Sequence, residues 1–436
     1  MGKSIQLLNC EKIDMLLLLL FLLIVLAIIA FLINGKDVLS PSFDLIVLFM
    51  VGTVFAFYGN LSWGIEIHDS RFVMAILGGL ASILFGSILV QKKCLNTSSN
   101  ISSQIVEYNF VTFIVLVFVN ALIVYLYYRV IYGIAVATGF SGENMQMYVR
   151  VATSNYGAKL GMFFTFFIWI VQSSAIVCAY IFVNNFFVRK KIVFRDLILL
   201  APVILYFIQI FYSGSRAGLI RFSIVLLFFV VFSYRRILKK INLIKVLVVS
   251  LVVMSALLYI FAWLGTFTKK VDEADFLNPV CIYVGSSIIA LDDWFQRDKV
   301  FSANQLGEVS FHGLYLVVNS LYGGSENKSS GESNFIKKGS FSTNIYTGFC
   351  SYLAEYGWLG LFVICIFLGG IFQYSYQYII EKTTLLNVMI YGYFFIDFLY
   401  LLFAPSITSN LFTPTSIMGL VWIFLVFKSL IPSREM

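Results

Sequence analysis

The chain has 436 residues, of which 60% are hydrophobic and 12% charged, with a formal net charge of +8. Soluble domains carry about 25% charged residues, so a water-soluble core is excluded, in keeping with a mean hydropathy of +0.92. Much of the positive excess lies in two short loops, which points to membrane orientation rather than to nucleic-acid binding.

Apolar runs approaching 20 residues recur along the chain, close to the length of helix that crosses ~30 Å of hydrocarbon. Backbone polar groups in lipid must be satisfied within the segment, so these runs are helices. Strands of a membrane barrel alternate polar and apolar residues, and Met15-Leu-Leu-Leu-Leu-Leu-Phe21 does not. The first run, Met15–Asn34, is long for a signal-peptide core and no small-x-small site follows it, so it reads as a retained span. Further spans are expected at Phe43–Tyr58, Phe72–Val90, Asn109–Val130, Lys159–Val183, Leu197–Tyr212, Ala217–Phe232, Val246–Phe267, Gly357–Tyr376, Leu385–Phe403 and Pro414–Leu430. The predicted fold class is an all-α integral membrane protein of about 11 (10–12) transmembrane helices. It forms a single polytopic membrane domain over 1–436, with one large extracytoplasmic loop over 269–346.

Orientation follows from the Lys and Arg asymmetry. Arg189, Lys190, Lys191 and Arg195 form one basic loop, and Arg235, Arg236, Lys239, Lys240 and Lys245 form another. Two spans separate them, so both are assigned to the cytoplasm. The turn Ser213-Gly-Ser-Arg-Ala-Gly218, the segment from Tyr132 to Tyr156 and the long stretch from Lys269 to Tyr346 are then outside. The N-terminal part carries conflicting signals. Eleven spans with an inside C-terminus put the N-terminus outside, whereas Lys3 and Lys12 favour inside. Within the outer stretch, Val280 to Ala290 is too apolar for a free loop and too short for a span. A re-entrant or interfacial helix ending at Asp292, Asp293 and Trp294 fits it.

Arg216 carries the strongest chemical signal. It sits where a membrane helix begins on the outer face, and a helix N-terminus offers unpaired N–H groups and a positive dipole end to a phosphate. The guanidinium adds a planar fork for phosphate oxygens, and the flanking Gly214 and Gly218 allow close backbone approach. Arg221 lies deeper in the same span, where an ionisable residue is a functional candidate. The plainer alternative is that Arg216 anchors to headgroups and Arg221 snorkels. Arg150, with Lys159 nearby, is a second outer cation, for which a headgroup contact is the competing reading.

The two histidines are His68, in a short N-terminal loop, and His312, in the outer stretch. A histidine there can serve as general base, although lone loop histidines are more often surface residues. Asp292, Asp293 and Glu355 are alternative bases, and a carboxylate at the membrane rim, as Glu355 is, needs a partner or a task. Two distant histidines and the absence of D-x-D give no metal site, and no P-loop, dinucleotide fingerprint or G-x-S-x-G occurs. The six cysteines include no C-x-x-C; Cys281 and Cys350 flank the outer stretch and could meet in an oxidising compartment.

Several short elements together resemble the Wzy-type oligosaccharide repeat-unit polymerases, the O-antigen polymerases of bacterial inner membranes. Asp37-Val-Leu-Ser-Pro41 lies between the first two spans, and Gly214-Ser-Arg-Ala-Gly218 resembles the family's outer G-S-R turn. Gly307 to Phe311 gives a Gly-x-x-Ser-Phe element, followed by Asn344-Ile-Tyr-Thr347 and by Gly357-x-x-Gly360 entering a span. Arg150 to Gly161 reproduces an R-x₁₀-G spacing found in some polymerases, but no glycine falls at that spacing from Arg216, so a paired version is absent.

The resemblance implies a glycosyltransferase that moves a growing glycan from undecaprenyl diphosphate onto a lipid-linked repeat unit at the periplasmic face. Its implied partners are undecaprenyl-diphosphate-linked oligosaccharide, membrane lipid and a chain-length regulator protein, with no nucleic acid, no cofactor and no metal. Arg150, Arg216 and Arg221 would bind the diphosphate, with His312 and then Glu355 as catalytic base. The nearest alternative is an O-antigen ligase, and a lipid-linked oligosaccharide flippase is the alternative of a different class. The chain shows no internal duplication of the kind transporters carry.

Overall fold

The computed structural model describes residues 4–65, 67, 69–91, 104–140, 142, 145, 148–149, 162–213, 216–238, 277–296, 306–321, 336–338 and 341–431. Nine helices among the described residues are long and apolar enough to cross a membrane. They are the cores of α1 (Ser4–Ile33), α2 (Pro41–Trp63), α3 (Arg71–Val90), α4 (Phe110–Ala137), α5 (Met162–Arg189), α6 (Phe194–Ser213), α7 (Arg216–Leu238), α10 (Gly348–Glu381) and α11 (Leu385–Leu402). The chain is an α-helical membrane protein. The remaining elements are α8 (Leu277–Gln296), α9 (His312–Leu321), the three-residue strands β1 (Ile336–Lys338) and β2 (Phe341–Thr343), α12 (Ser406–Asn410) and the apolar α13 (Pro414–Leu430). Each expected span coincides with a helix except Val246–Phe267, which lies outside the described residues.

The helices group into two compact units. The first comprises Met1–Ser98, Leu277–Lys382 and Phe394–Thr413, and the second Ser99–Phe276, Thr383–Tyr393 and Pro414–Met436. In lipid the hydrophobic effect does not drive helices together, so close backbone packing and polar contacts must. The first unit shows this between α3 and α10. A Cβ on Gly86 would lie 2.0 Å from the Ile366 carbonyl oxygen, and one on Gly369 would lie 2.0 Å from that of Ile83. The Ser87 hydroxyl donates to the Gly369 carbonyl at 3.3 Å, sealing the contact. α1 turns Leu16, Leu19, Leu23, Ala27 and Ala30 inward at three- and four-residue spacing, and leaves Phe21, Ile28 and Leu32 to lipid.

One end of this unit gathers the end of α1, the start of α2, the end of α3 and the last third of α10. Gln91 Nε2 donates to the Ile33 carbonyl at 3.1 Å, and Asn34 Nδ2 donates to Ser42 Oγ at 3.1 Å. Tyr376 donates its hydroxyl proton to Asp37 Oδ2 at 2.9 Å, while Asp37 Oδ1 accepts from the Leu39 amide at 3.0 Å. The Asp37-to-Pro41 element is thus a turn pinned to α10. At the opposite end Arg71, opening α3, donates to the Phe295 carbonyl at 2.9 Å, and Phe295 stacks on Trp358 at 6.0 Å. The apolar segment foreseen as a helix before Asp292 is α8, packed against α2 with Gly285 on the backbone of Phe55 and Ala56.

The second unit is built around α5. Ala175 through Ile181 are each at most 1% exposed, so this helix is enclosed on all sides. The starts of α4 and α6 and the ends of α5 and α13 meet at one end. The Asn185 amide bonds both backbone groups of Val106, at 2.8 and 3.0 Å, and Asn109 N donates to the Leu430 carbonyl at 2.8 Å. Arg189 pairs with Asp196 at 3.3 Å, so part of the basic loop is tied into this junction.

Candidate functional site

In the first unit the site grows from a break in α10. Gly357 has φ 65° and ψ −167°, a conformation essentially open only to glycine, and it divides α10 into a short arm of Gly348–Tyr356 and a long span. The short arm ends on Glu355 and Tyr356. Glu355 is 9% exposed, and its two carboxylate oxygens accept from the amides of Val309 at 2.7 Å and Ser310 at 3.0 Å. The carboxylate therefore holds the turn Gly307-Glu-Val-Ser-Phe311, in which Gly307 takes φ 83°. Phe311 closes the turn edge-on against the Tyr356 ring at 6.1 Å.

This turn delivers His312 as the first residue of α9. His312 Nδ1 lies 3.0 Å from the Glu308 carbonyl oxygen, a geometry that assigns the proton to Nδ1 and leaves Nε2 as the acceptor. A ring held in that tautomer can take a proton from a bound hydroxyl through Nε2. The structure brings His312 and Glu355 onto the same short stretch of chain, but in different states. The Glu355 oxygens are occupied by backbone amides, and the acceptor left on the imidazole is Nε2. Ser310 is fully buried and its hydroxyl has no hydrogen-bond partner among the described residues.

The other acidic candidates sit beside α3. Asp292 accepts from the Asp69 amide at 2.9 Å and from Gln296 Nε2 at 2.7 Å, so it secures the loop before α3. Asp293 is 1% exposed, inside the unit. Arg71, which sequence reasoning passed over, forks onto Asp69 and lies over the Phe295 ring at 5.1 Å. The guanidinium beside it holds the Asp69 carboxyl below the ordinary value of 3.8, chiefly through their hydrogen bond. The signal available was an arginine two residues after an aspartate at a span start. Cys281 and Cys350 are both buried and unbridged.

In the second unit Arg216 opens α7, as the sequence predicts, though its side chain is not among those described. Arg221 lies a turn and a half further in, half-buried. Arg150, Lys159 and, in the first unit, His68 lie outside the described residues. Just before Arg150, Val149 is buried with Tyr127, Ile131 and Ala135 of α4, so the chain entering that position is anchored to the helix bundle.

The helices and their polar junctions define a multi-pass α-helical membrane protein. Comparison with protein-family models, with curated proteins and with solved structures finds no match for the chain.

Proposed function

We propose that the chain is a surface-polysaccharide (O-antigen) polymerase of the bacterial inner membrane. It would transfer a growing glycan from undecaprenyl diphosphate onto a lipid-linked repeat unit at the periplasmic face. The observation that carries this reading is the bond between Glu355 and the amides of Val309 and Ser310. Two elements of the family resemblance, the Gly-x-x-Ser-Phe turn and the stretch leading to Gly357-x-x-Gly360, lie far apart in sequence and meet there. Their meeting sets His312 as the first residue of α9, directly after the turn that Glu355 holds.

In this reading the acceptor sugar's hydroxyl oxygen attacks the anomeric carbon of the donor as the bond from that carbon to the lipid diphosphate oxygen breaks. The leaving diphosphate takes the electron pair. The hydroxyl proton goes to His312 Nε2. Charge accumulating on the diphosphate is stabilised by fixed cations, a role given to Arg216 and Arg150 with Arg221 in support. Glu355 acts by holding the His312 turn. The end of the second unit carrying Arg189, Lys190, Lys191 and Arg195 faces the cytoplasm. The span count is eleven, with Val246–Phe267 and Pro414–Leu430 completing it, and the 269–346 stretch is extracytoplasmic.

The test is the glycan profile of a deletion strain. Under this reading surface glycan falls to a single repeat unit on its lipid core. Loss of all O-antigen instead indicates a ligase or flippase and overturns it. Arg216→Ala should lower chain elongation by at least about 100-fold with the protein still in the membrane. Normal glycan ladders from that variant remove Arg216 from the diphosphate role.

A further inference from the structure

The outer half of the second unit contains polar side chains that no sequence motif marks. α6 and α7 run antiparallel and are joined by residues 214–215. At 1.5 Å per residue, Gln209 lies about 6 Å inward from the end of α6 and Arg221 about 7.5 Å inward from the start of α7. The two are therefore level in the membrane. Tyr206 lies three residues from Gln209 on the same face of α6. Its ring packs edge-on against Phe222 at 5.0 Å, next to Arg221, and its hydroxyl is within electrostatic reach of the Arg221 guanidinium and of Tyr393. The Tyr393 hydroxyl in turn faces α13, where a Cβ on Gly419 would come within 2.4 Å of it. Gln209 is 8% exposed, and its Oε1 has no hydrogen-bond partner among the described residues.

A buried acceptor without a donor is costly in an apolar medium, so Gln209 Oε1 calls for a hydroxyl or N–H that the described residues do not supply. Arg221 sets a guanidinium at the same depth, and its planar fork of donors matches phosphate oxygens. One ligand class offers both a few ångströms apart: a glycosyl phosphate, with its phosphate oxygens beside the hydroxyls of the first sugar. We propose that Arg221, Tyr206 and Gln209 form a membrane-embedded subsite for the phosphate and first-sugar hydroxyl of a lipid-linked glycan, with Tyr393 supporting Tyr206. The proposal rests on the polymerase reading, and makes Tyr206 and Gln209 positioning residues rather than catalytic ones. Arg221 and Tyr206 take the phosphate, and Gln209 Oε1 accepts from the sugar.

The experiment measures binding to the full-length protein in phosphatidylcholine nanodiscs by native mass spectrometry. The probes are undecaprenyl-diphospho-N-acetylglucosamine, undecaprenyl phosphate, inorganic pyrophosphate and phosphatidylglycerol. Gln209→Leu should weaken the sugar-bearing probe about tenfold while leaving undecaprenyl phosphate unchanged. Arg221→Gln should weaken both lipid probes by about tenfold or more. Tyr206→Phe keeps the ring on Phe222 and should weaken both lipid probes a few-fold, so the prediction holds even if another variant fails to fold. Equal loss of both probes in Gln209→Leu, or wild-type affinity in Arg221→Gln, overturns the subsite. Phosphatidylglycerol competing as well as the sugar-bearing probe shows an ordinary headgroup contact and overturns it too, and pyrophosphate competing alone shows a free-anion site and does the same. Failure here with elongation still lost on gene deletion removes the subsite and spares the polymerase reading. Elongation that survives deletion removes the polymerase reading whatever the binding result.

Discussion

Glu355 shows how a sequence can mark a residue without showing what its side chain touches. Sequence marks it, because a carboxylate at a membrane rim needs a partner. Which partner is invisible, since the two amides it binds lie more than forty residues earlier and are met only through the break at Gly357. Its geometry separates two roles. Glu355→Ala leaves two N–H groups without an acceptor and should cost about 2–4 kcal/mol of stability, read by thermal unfolding in detergent. Glu355→Gln retains one acceptor oxygen and should cost about 1–2 kcal/mol. If Glu355 positions the His312 turn, the Gln variant keeps a measurable part of the elongation that His312→Ala loses by about 100-fold or more. Equal loss in Glu355→Gln and His312→Ala would instead make the carboxylate the base. A second residue-scale effect concerns pH. The Asp69 carboxyl titrates below its ordinary value of 3.8 because Arg71 binds its charged form. Its contribution is complete above that value and is lost as pH falls through the folded pKa. Asp69→Asn should therefore flatten the acid limb of the stability profile below about pH 4, an effect that is small because the pair is exposed and that shrinks further with added salt.

At the scale of elements, the spans were legible because each is a continuous apolar run, and nearly every one coincides with a helix. What could not be read is how the helices touch. The expected span beginning at Gly357 is the long arm of α10, and the arm before it, Gly348–Tyr356, is as helical as the rest. Nothing in a hydropathy pattern distinguishes a glycine that starts a helix from one that folds a helix back. Glycine packing is equally silent in sequence. Gly86 and Gly133 both lie in apolar helices, yet Gly86 meets the backbone of Ile366 and Gly370, whereas Gly133 has nothing within 4 Å. Gly86→Ala must therefore push α3 and α10 apart and should cost about 2–3 kcal/mol, with a matching fall in folded yield. Gly133→Ala should be neutral or stabilising by up to about 1 kcal/mol, since it only removes the helix penalty of glycine. A Gly86→Ala protein as stable as the parent would show that this contact is not a fixed part of the fold.

For the whole molecule, the open question left by the sequence is the side on which α1 begins, because Lys3 and Lys12 oppose the span count. Contacts inside the first unit show which turns share an end of the bundle, and the absolute side then rests on the charge assignment. The turn after α1 is held to Gln373 and Tyr376 of α10, at 3.5 and 2.9 Å, while the Glu355 turn lies at the other end of the same helix. From Trp358 to Tyr376 a helix rises about 27 Å, nearly the ~30 Å of the hydrocarbon layer. The Asp37 turn and the His312 turn are therefore on opposite faces, and α1, which ends at the Asp37 turn, starts on the face of His312. Alkaline phosphatase and fluorescent-protein fusions made after Lys36 and after Val309 should report opposite sides, and a fusion after Ile67 should match the one after Val309. Under the proposed orientation, which places the basic loops in the cytoplasm, the Lys36 fusion is fluorescent and the other two carry phosphatase activity. The same side reported after Lys36 and after Val309 would undo both this topology and the placement of the His312 turn at the rim opposite Asp37.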